Sequence, residues 1–596
     1  MQLCTNPQRQ FVTNCRESLS ALVLLIASTV LSPLSVGAPA GETATAPNSQ
    51  LTIYTAKKII TMEPAMPEAT AVAVADGRIV AVGSLKSLQS WVDARGATID
   101  DTLKNKVLMP GFIDPHVHPS LPAVVTQFPF IAPDDWTLPT GEFPGAKTPE
   151  VYIRRLKALV AEHTDKTIPF ITWGYHQLWH GDLKRPQLTK LFPNTPVLLW
   201  HRSFHELIAN DAALAMLGVK ETEVADLHGV DFEQGHFWEG GAMALMPRLK
   251  FLFDPQRYGK GIGNLFAMMQ LGGITTAMDM GIGVFGNPQI EATMIRGIMA
   301  QERAPVRLVL TPIITDFLSR GKTITEAMTE IEQLRTGDTD RVTVGNHFKL
   351  MMDGAIFSGL SQMGFPGYID GHEGVWMAPL DVTQQWAQAF WDAGYQLHAH
   401  TNGDASAAAM IKMLRELQRN TPREDHRFTL EHFAYTTEDQ NRQLAELGAL
   451  VSANPYYQYI LSDIYSDQWL GEDRGRQMVR LGSLERLGVP FALHSDCPMA
   501  PLSPLTLADT AINRVTINGN QNAKSERVSV HAAMRAITID AAWVMGAEND
   551  IGSIRAGKKA DFTVLEQNPY TVKPSRIKDI PVWGTVFEGQ LYPNAR

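Results

Sequence analysis

The run PGFIDPHVH (110–118) places His116 and His118 two residues apart in an apolar stretch with the character of a strand. Alternate residues of a strand face the same side, so the two imidazoles project together and make half of a zinc site. Further along, Lys349 interrupts HFKLMMDG, His398 and His400 end QLHAH, His432 ends FTLEH, and His494 and Asp496 end PFALHSD. Each of these side chains falls at the C-terminal end of a predicted strand. Burying several histidines, a lysine and an aspartate without partners is costly, and a bound metal removes that cost. Zinc-like ions lower the pKa of bound water towards ~7 and polarise a carbonyl. Zinc, iron and manganese all accept such ligands. As an ammonium, Lys349 cannot bind a cation. Buried, a lysine has a lowered pKa and can be neutral, and a neutral amine can take up carbon dioxide as a carbamate. A salt bridge to Asp353 or Asp496 is the alternative for Lys349. His398 shares a face with His400, and His494 with Asp496; each either supports a ligand or contacts substrate. Cys497 alternates away and reads as structural. Asp404 either orients a neighbouring ligand or caps the helix that follows.

These residues need a frame that brings strand ends together. From about residue 260 one unit repeats: amphipathic helix, glycine, apolar strand. Thr437 opens one such helix and Gly448 closes it; Gly394 and Gly488 close others, as left-handed caps do. The strands are LMPGFIDPHVH, GITTAMDM, VRLVLTPII, HFKLMMDG, QLHAHTNG, FTLEHF, ALVSANP and PFALHSD. Eight β-branched, apolar strands with crossover helices predict an α/β fold of the (β/α)8 TIM-barrel type, whose active sites lie at the C-terminal ends of the strands. The barrel is expected over 107–555, with an insertion at 119–260 after the first strand that carries its own strand-like piece, PVLLWHRS (196–203). Trp173, His176, Trp179, His201, Arg202, His205 and Trp238 stud this insertion. His205, Arg202 and Trp173, with His398 and His494, are the candidates for substrate contact. The ends read differently. Residues 51–106 and 556–596 form short strands, with Asp76-Gly77 as a type I′ hairpin turn and Glu588-Gly589 as another turn. They are expected to make one small β-sandwich domain from both termini.

At 44% hydrophobic and 19% charged residues, the chain of 596 residues is neither disordered nor fibrous. A net charge of -10 argues against a nucleic-acid partner. Arg9 and Arg16 precede the apolar run Leu19–Leu31, and small residues end at Ala40. This pattern predicts a secretory signal peptide over 1–40, then a leader over 41–50, and hence a secreted or periplasmic protein without stable membrane insertion. An uncleaved anchor is the alternative. Of three cysteines only Cys497 lies beyond this segment, so the folded part has no internal disulfide.

The set His116, His118, Lys349, His400, His432 and Asp496 resembles the ligand pattern of the amidohydrolase superfamily: H-x-H on the first strand, lysine on the fourth, histidines on the fifth and sixth, aspartate on the eighth. GGITTAMDMG, KLMMDG, HTNGD, HSDCP and GSIRAGKKADFTVL (552–565) are similar to the branch that includes N-substituted formamide deformylases, and the similarity spans nearly the whole mature chain. His398 and His494 are extra histidines relative to the family pattern, and Cys497 stands where this branch often has tryptophan. The resemblance implies two divalent ions, zinc first among them, bridged by a carbamylated Lys349. His116, His118 and Asp496 would hold one ion and His400 and His432 the other. Asp496 would move the proton from attacking water to the leaving nitrogen. The implied activity is hydrolysis of an amide, N-formyl or N-acyl C–N bond in a small molecule by a metal-activated hydroxide, in a chain able to form a homodimer. A cyclic-amide hydrolase or deaminase is the alternative among enzymes. A metal- or ligand-binding protein with a degenerate barrel is the alternative outside them.

Overall fold

In the computed structural model, residues 51–224, 227–302 and 304–594 are described; the predicted signal peptide and leader lie outside them. Eight strands carry the α/β body: β1 (Phe112–Val117), β2 (Ile274–Ile282), β3 (Arg307–Pro312), β4 (His347–Met351), β5 (Gln396–Thr401), β6 (Thr429–His432), β7 (Leu450–Ala453) and β8 (Phe491–Leu493). All pairings among them are parallel and follow chain order. The ladder falls into two sheets, because the short strand Val342–Val344, and not β4, pairs with β3. Two links cross the gaps. Ile313 bridges Lys349, and the Asp496 amide donates to the His116 carbonyl at 2.9 Å. Order, direction and links are consistent with the expected eight-stranded barrel.

Local chemistry explains the repeat. Thr437 accepts from the Gln440 amide at 3.2 Å while the Gln440 side chain accepts from the Thr437 amide at 3.0 Å, a reciprocal cap that starts the helix Glu438–Glu446. Gly448 and Gly488, at φ 67° and 70°, supply the left-handed turn into β7 and β8. The strands are buried along their length on both faces, as helix-covered parallel strands must be.

The first predicted strand divides in two at Gly111. Val107–Pro110 leaves the barrel ladder and joins the flanking sheet, between Thr52–Ile60 and Phe562–Leu565. Any Cβ at Gly111 would lie 2.0 Å from the Thr275 hydroxyl, so only glycine lets the chain pass from one sheet to the other. The flanking region therefore takes four residues that the apolar pattern alone assigns to the barrel. It is a single eight-stranded sheet containing strands from both ends of the chain. Asp76 and Gly77 have φ 50° and 71°, and Glu588 and Gly589 49° and 79°, the signs of type I′ hairpin turns.

The insertion after β1 holds a five-stranded sheet where the sequence pattern shows one strand. Val197–His201 pairs with Phe170–Tyr175 on one side and Glu206–Ala209 on the other, and the short strands His236–Trp238 and Val230–Asp231 follow. The helix Pro255–Leu271 leads back to β2. Among the described residues no helix is long and apolar enough to cross a membrane.

Candidate metal centre

His116 lies within β1 and His118 just beyond it. Their Nε2 atoms lie 3.4 Å and 3.3 Å from Asp496 Oδ1. One ligand atom from each of His116, His118 and Asp496 falls within 4.8 Å of the others. Hydrogen bonds join the two strand ends that carry this trio. Asp114 accepts from the Ser495 amide at 3.2 Å and the His116 amide at 3.3 Å. Asp496 has φ 53°, a left-handed turn that brings its carboxylate back over β1.

A fully buried carboxylate beneath the trio sets the tautomer of His116. Glu431 accepts from His116 Nδ1 at 2.7 Å through Oε2 and from His398 Nδ1 at 2.7 Å through Oε1. A ring that donates from Nδ1 has a bare Nε2, the form that binds a cation, and carboxylates behind ligating histidines do this work. The bare Nε2 lies 3.4 Å from Lys349 Nζ. On its other side His118 turns Nδ1 towards Asp279, 3.9 Å away. Burial raises both Asp279 and its neighbour Glu291, and the Glu291 charge raises Asp279 further.

A second trio, His116, His432 and His494, also falls within 4.8 Å. It shares His116 with the first, and ring geometry decides between them. The His494 ring stacks on His116 at 4.4 Å with 16° between planes. An ion in the plane of the His116 ring therefore lies above the His494 plane, where that ring has no lone pair. The His116–His118–Asp496 set is the better donor group. His400 and His432 stand edge to face at 4.3 Å. The Asn402 side-chain amide lies 2.9 Å from His400 Nε2.

Electrostatics fit a cation site. Burial pushes His400 and His398 down to about 3 and His494 to about 4, with the Lys349 charge adding to the effect. His116 and His432 are pushed well down for the same reasons. All five are neutral at pH 7, as imidazole ligands must be. Burial would raise Asp496, but the His118 hydrogen bond and the charges of His118 and Lys349 hold it below its ordinary value. Burial lowers Lys349 to about 8 against the pull of Glu431 and Asp496, so a neutral amine fraction exists near neutral pH.

Other predicted residues have different work. Asp353 does not pair with Lys349. It accepts from the amides of Gln362, Asn402 and Gly403 and from the Ser406 hydroxyl, at 2.8–3.0 Å, and so fixes the loop after β5. Asp404 neither caps its helix nor meets a ligand; it accepts from the Gly364 amide at 2.7 Å. Both ring nitrogens of His398 are engaged, one by Glu431 and the other by His347 at 3.1 Å. Trp173 is fully buried against Phe130 and Trp136. Arg202 lies between the faces of Trp173 and Phe357 and donates to the carbonyls of Pro498 and Met499. It clamps the insertion to the loop after Asp496 and is closed to ligand. His494 is buried with both ring nitrogens unpartnered. His205 alone of the substrate candidates keeps partial exposure. It pairs with Glu239 at 3.0 Å, and that carboxylate raises it against burial.

Glu431 and Tyr457 are the functional residues that the sequence pattern passes over. Strict alternation would place Glu431 on the face opposite His432. At φ 75° and 57°, His432 and Phe433 break the pleat, and both side chains serve the same interior. The available signal was a carboxylate beside a ligand in an otherwise apolar strand. Tyr457, after β7, places its hydroxyl 3.3 Å from His432 Nδ1 and 3.4 Å from Asp496 Oδ2.

Parallel α/β strands that present histidines, a lysine and an aspartate from their C-terminal ends define a metal-dependent hydrolase. The sequence profile described as "Amidohydrolase family" matches residues 144–592, and the chain belongs to that family. It is 24% identical to N-substituted formamide deformylase of Arthrobacter pascens over 88% of this chain and 94% of that protein. It is 23% identical to Protein LONG AFTER FAR-RED 3 of Arabidopsis thaliana over 96% of this chain and 98% of that one. In fold it is similar to an uncharacterized metal-dependent hydrolase of Pyrococcus horikoshii OT3. The TM-score there is 0.66 at 18% identity, covering 88% of this chain and 99% of the other.

Proposed function

We propose that the protein is an exported, metal-dependent amidohydrolase that cleaves the C–N bond of a small N-formyl or N-acyl amide. The observation that carries this reading is the convergence of His116 Nε2, His118 Nε2 and Asp496 Oδ1, with the His116 tautomer set by Glu431. The relation to N-substituted formamide deformylase supports the substrate class. In this reading His116, His118 and Asp496 hold one divalent ion and His400 and His432 a second. Lys349, as a carbamate, would be a ligand to both ions, and zinc, iron and manganese all accept this ligand set. The carbamate forms when the neutral Lys349 amine adds carbon dioxide and releases a proton. The ions supply Lewis acidity and acidify the water they bind. Asp496 takes the proton of the nucleophilic water and delivers it to the leaving nitrogen. The barrel mouth, with His205 and Glu239 on the insertion, receives the substrate. Residues 1–40 direct export and are removed.

The test is a panel of N-formyl, N-acyl and cyclic amides offered to the purified mature protein. Hydrolysis should vanish on chelation and return with zinc, manganese or iron. Metal-loaded protein that hydrolyses none of them, or activity indifferent to chelation, would overturn the reading.

A further inference from the structure

The hydroxyl of Tyr457 touches one residue from each proposed ion's ligand set: His432 Nδ1 at 3.3 Å and Asp496 Oδ2 at 3.4 Å. Its position is determined by the backbone. Asn454, at the end of β7, donates its amide to the His432 carbonyl at 3.1 Å and its side chain to the Ser495 carbonyl at 3.0 Å. Its side-chain oxygen accepts from the Tyr456 amide at 3.0 Å and starts the helix Tyr456–Gln468. One asparagine therefore ties the end of β6 to the loop after β8 and sets Tyr457 in the gap between them. The ring is buried, with Phe357 edge-on at 5.7 Å.

The two oxygens of Asp496 face different ways. Oδ1 lies 3.3–3.4 Å from the Nε2 atoms of His116 and His118. Oδ2 faces Tyr457 and, at 3.6 Å, His432 Nδ1. A phenol has one proton to give and lone pairs to accept with. If His432 offers Nε2 to an ion, Nδ1 carries the hydrogen and donates to the Tyr457 oxygen. The phenol proton then has Asp496 Oδ2 as its acceptor.

We propose that Tyr457 is a positioning residue for the Asp496 carboxylate, relaying a hydrogen bond from His432 Nδ1 through its hydroxyl to Asp496 Oδ2 and so holding Oδ1 towards His116 and His118. The proposal rests on the reading of Asp496 as the group that moves the proton. Both contacts are long for a hydroxyl.

The experiment uses the full mature chain and three variants: Y457F, D496A and the double variant. In metal-loaded protein, Y457F should keep its metal content and lower kcat about tenfold, the scale of a lost hydrogen bond to a charged group, with KM within about twofold. In chelated protein, the Y457F loss of thermal stability should disappear in the D496A background, because the partner is already gone. Additive stability effects in that cycle, or wild-type kcat in Y457F, would overturn the proposal. Lost metal or a raised KM with unchanged kcat would also overturn it, by showing a ligand-holding or packing role. If no amide is hydrolysed by any form, the functional reading fails while the chelated-protein cycle still decides whether Tyr457 and Asp496 are coupled.

Discussion

Two parts of the molecule concentrate histidine, and they treat it in opposite ways. In the insertion, most ring nitrogens meet a protein partner. His201 contacts Ser203 and Gln177, each at 2.8 Å. His180 accepts from the His176 amide at 3.0 Å and lies 2.8 Å from the Ala146 carbonyl. His236 meets Glu206 at 2.7 Å. At the strand ends, imidazoles face one another and a carboxylate across a shared point, and His118 Nδ1 and both nitrogens of His494 have no hydrogen-bond partner. Burial is similar in both places, so burial does not mark the site. The mark is donor atoms converging on one another, an arrangement that costs free energy until a cation takes the lone pairs.

That contrast can be broken most sharply at Asp496. Asp496→Asn keeps the size and one ligating oxygen but removes the base. The turnover number should fall by at least ~10²-fold, the lower end of general acid–base catalysis, with metal partly retained. Metal content must be measured beside the rate. Near-normal turnover with metal bound would assign the proton to another group. A smaller effect is expected one layer down. Glu431→Gln keeps one acceptor oxygen and turns the other into a donor, so His116 and His398 can no longer both donate from Nδ1, and metal affinity should fall by about 10–100-fold, the usual effect of losing such a partner. A chelator-competition titration reads this; unchanged affinity would show that the tautomer does not need Glu431.

The smallest effect per residue is in the pH dependence, where the two regions should behave alike. Burial lowers His180 and His201 in the insertion to about 3 and 4, and His398 and His494 near the site to about 3 and 4. Each is neutral when folded and takes up a proton on unfolding below its ordinary value of 6.5. Their contribution to stability is complete above pH 6.5 and falls as pH drops towards 4. The slope is about 1.4 kcal/mol per pH unit for each group between its two pKa values. Urea unfolding of chelated protein at pH 7.5, 6 and 5 measures it. A midpoint constant over that range would contradict the neutral, buried histidines.

Much of this centre was legible in the chain because ligands on parallel strands sit at strand ends and strand ends have a compositional signature. His116, His118, His400, His432 and Asp496 announce themselves as polar residues closing apolar runs, and Lys349 as one interrupting such a run. What stayed hidden depends on backbone conformation or on partners distant in sequence. Glu431 was hidden by a break in alternation that only the left-handed φ of His432 reveals. Period two gave His398 the correct face, but could not show that Glu431 and His347 already occupy its nitrogens. Arg202 has the composition of a binding residue, and nothing local shows that it closes on the carbonyls of Pro498 and Met499, nearly 300 positions away. Gly111 hid a boundary for the same reason, since the apolar run is continuous on both sides of it.

The flanking sheet gives that joint a consequence for how the protein comes into being. Val107–Pro110 has neighbours from opposite ends of the chain, Thr52–Ile60 and Phe562–Leu565. Beside the joint, the Phe112 amide donates to the Thr563 hydroxyl across 451 positions. Loops of that length close at an entropic cost that only the final contacts offset, and folds dominated by such pairings form slowly. The strand that opens into β1 is therefore paired on one side only until residues 562–565 have been synthesised. Arrival of Phe562–Leu565, some 450 positions after Gly111, completes the pairing beside the first ligand strand.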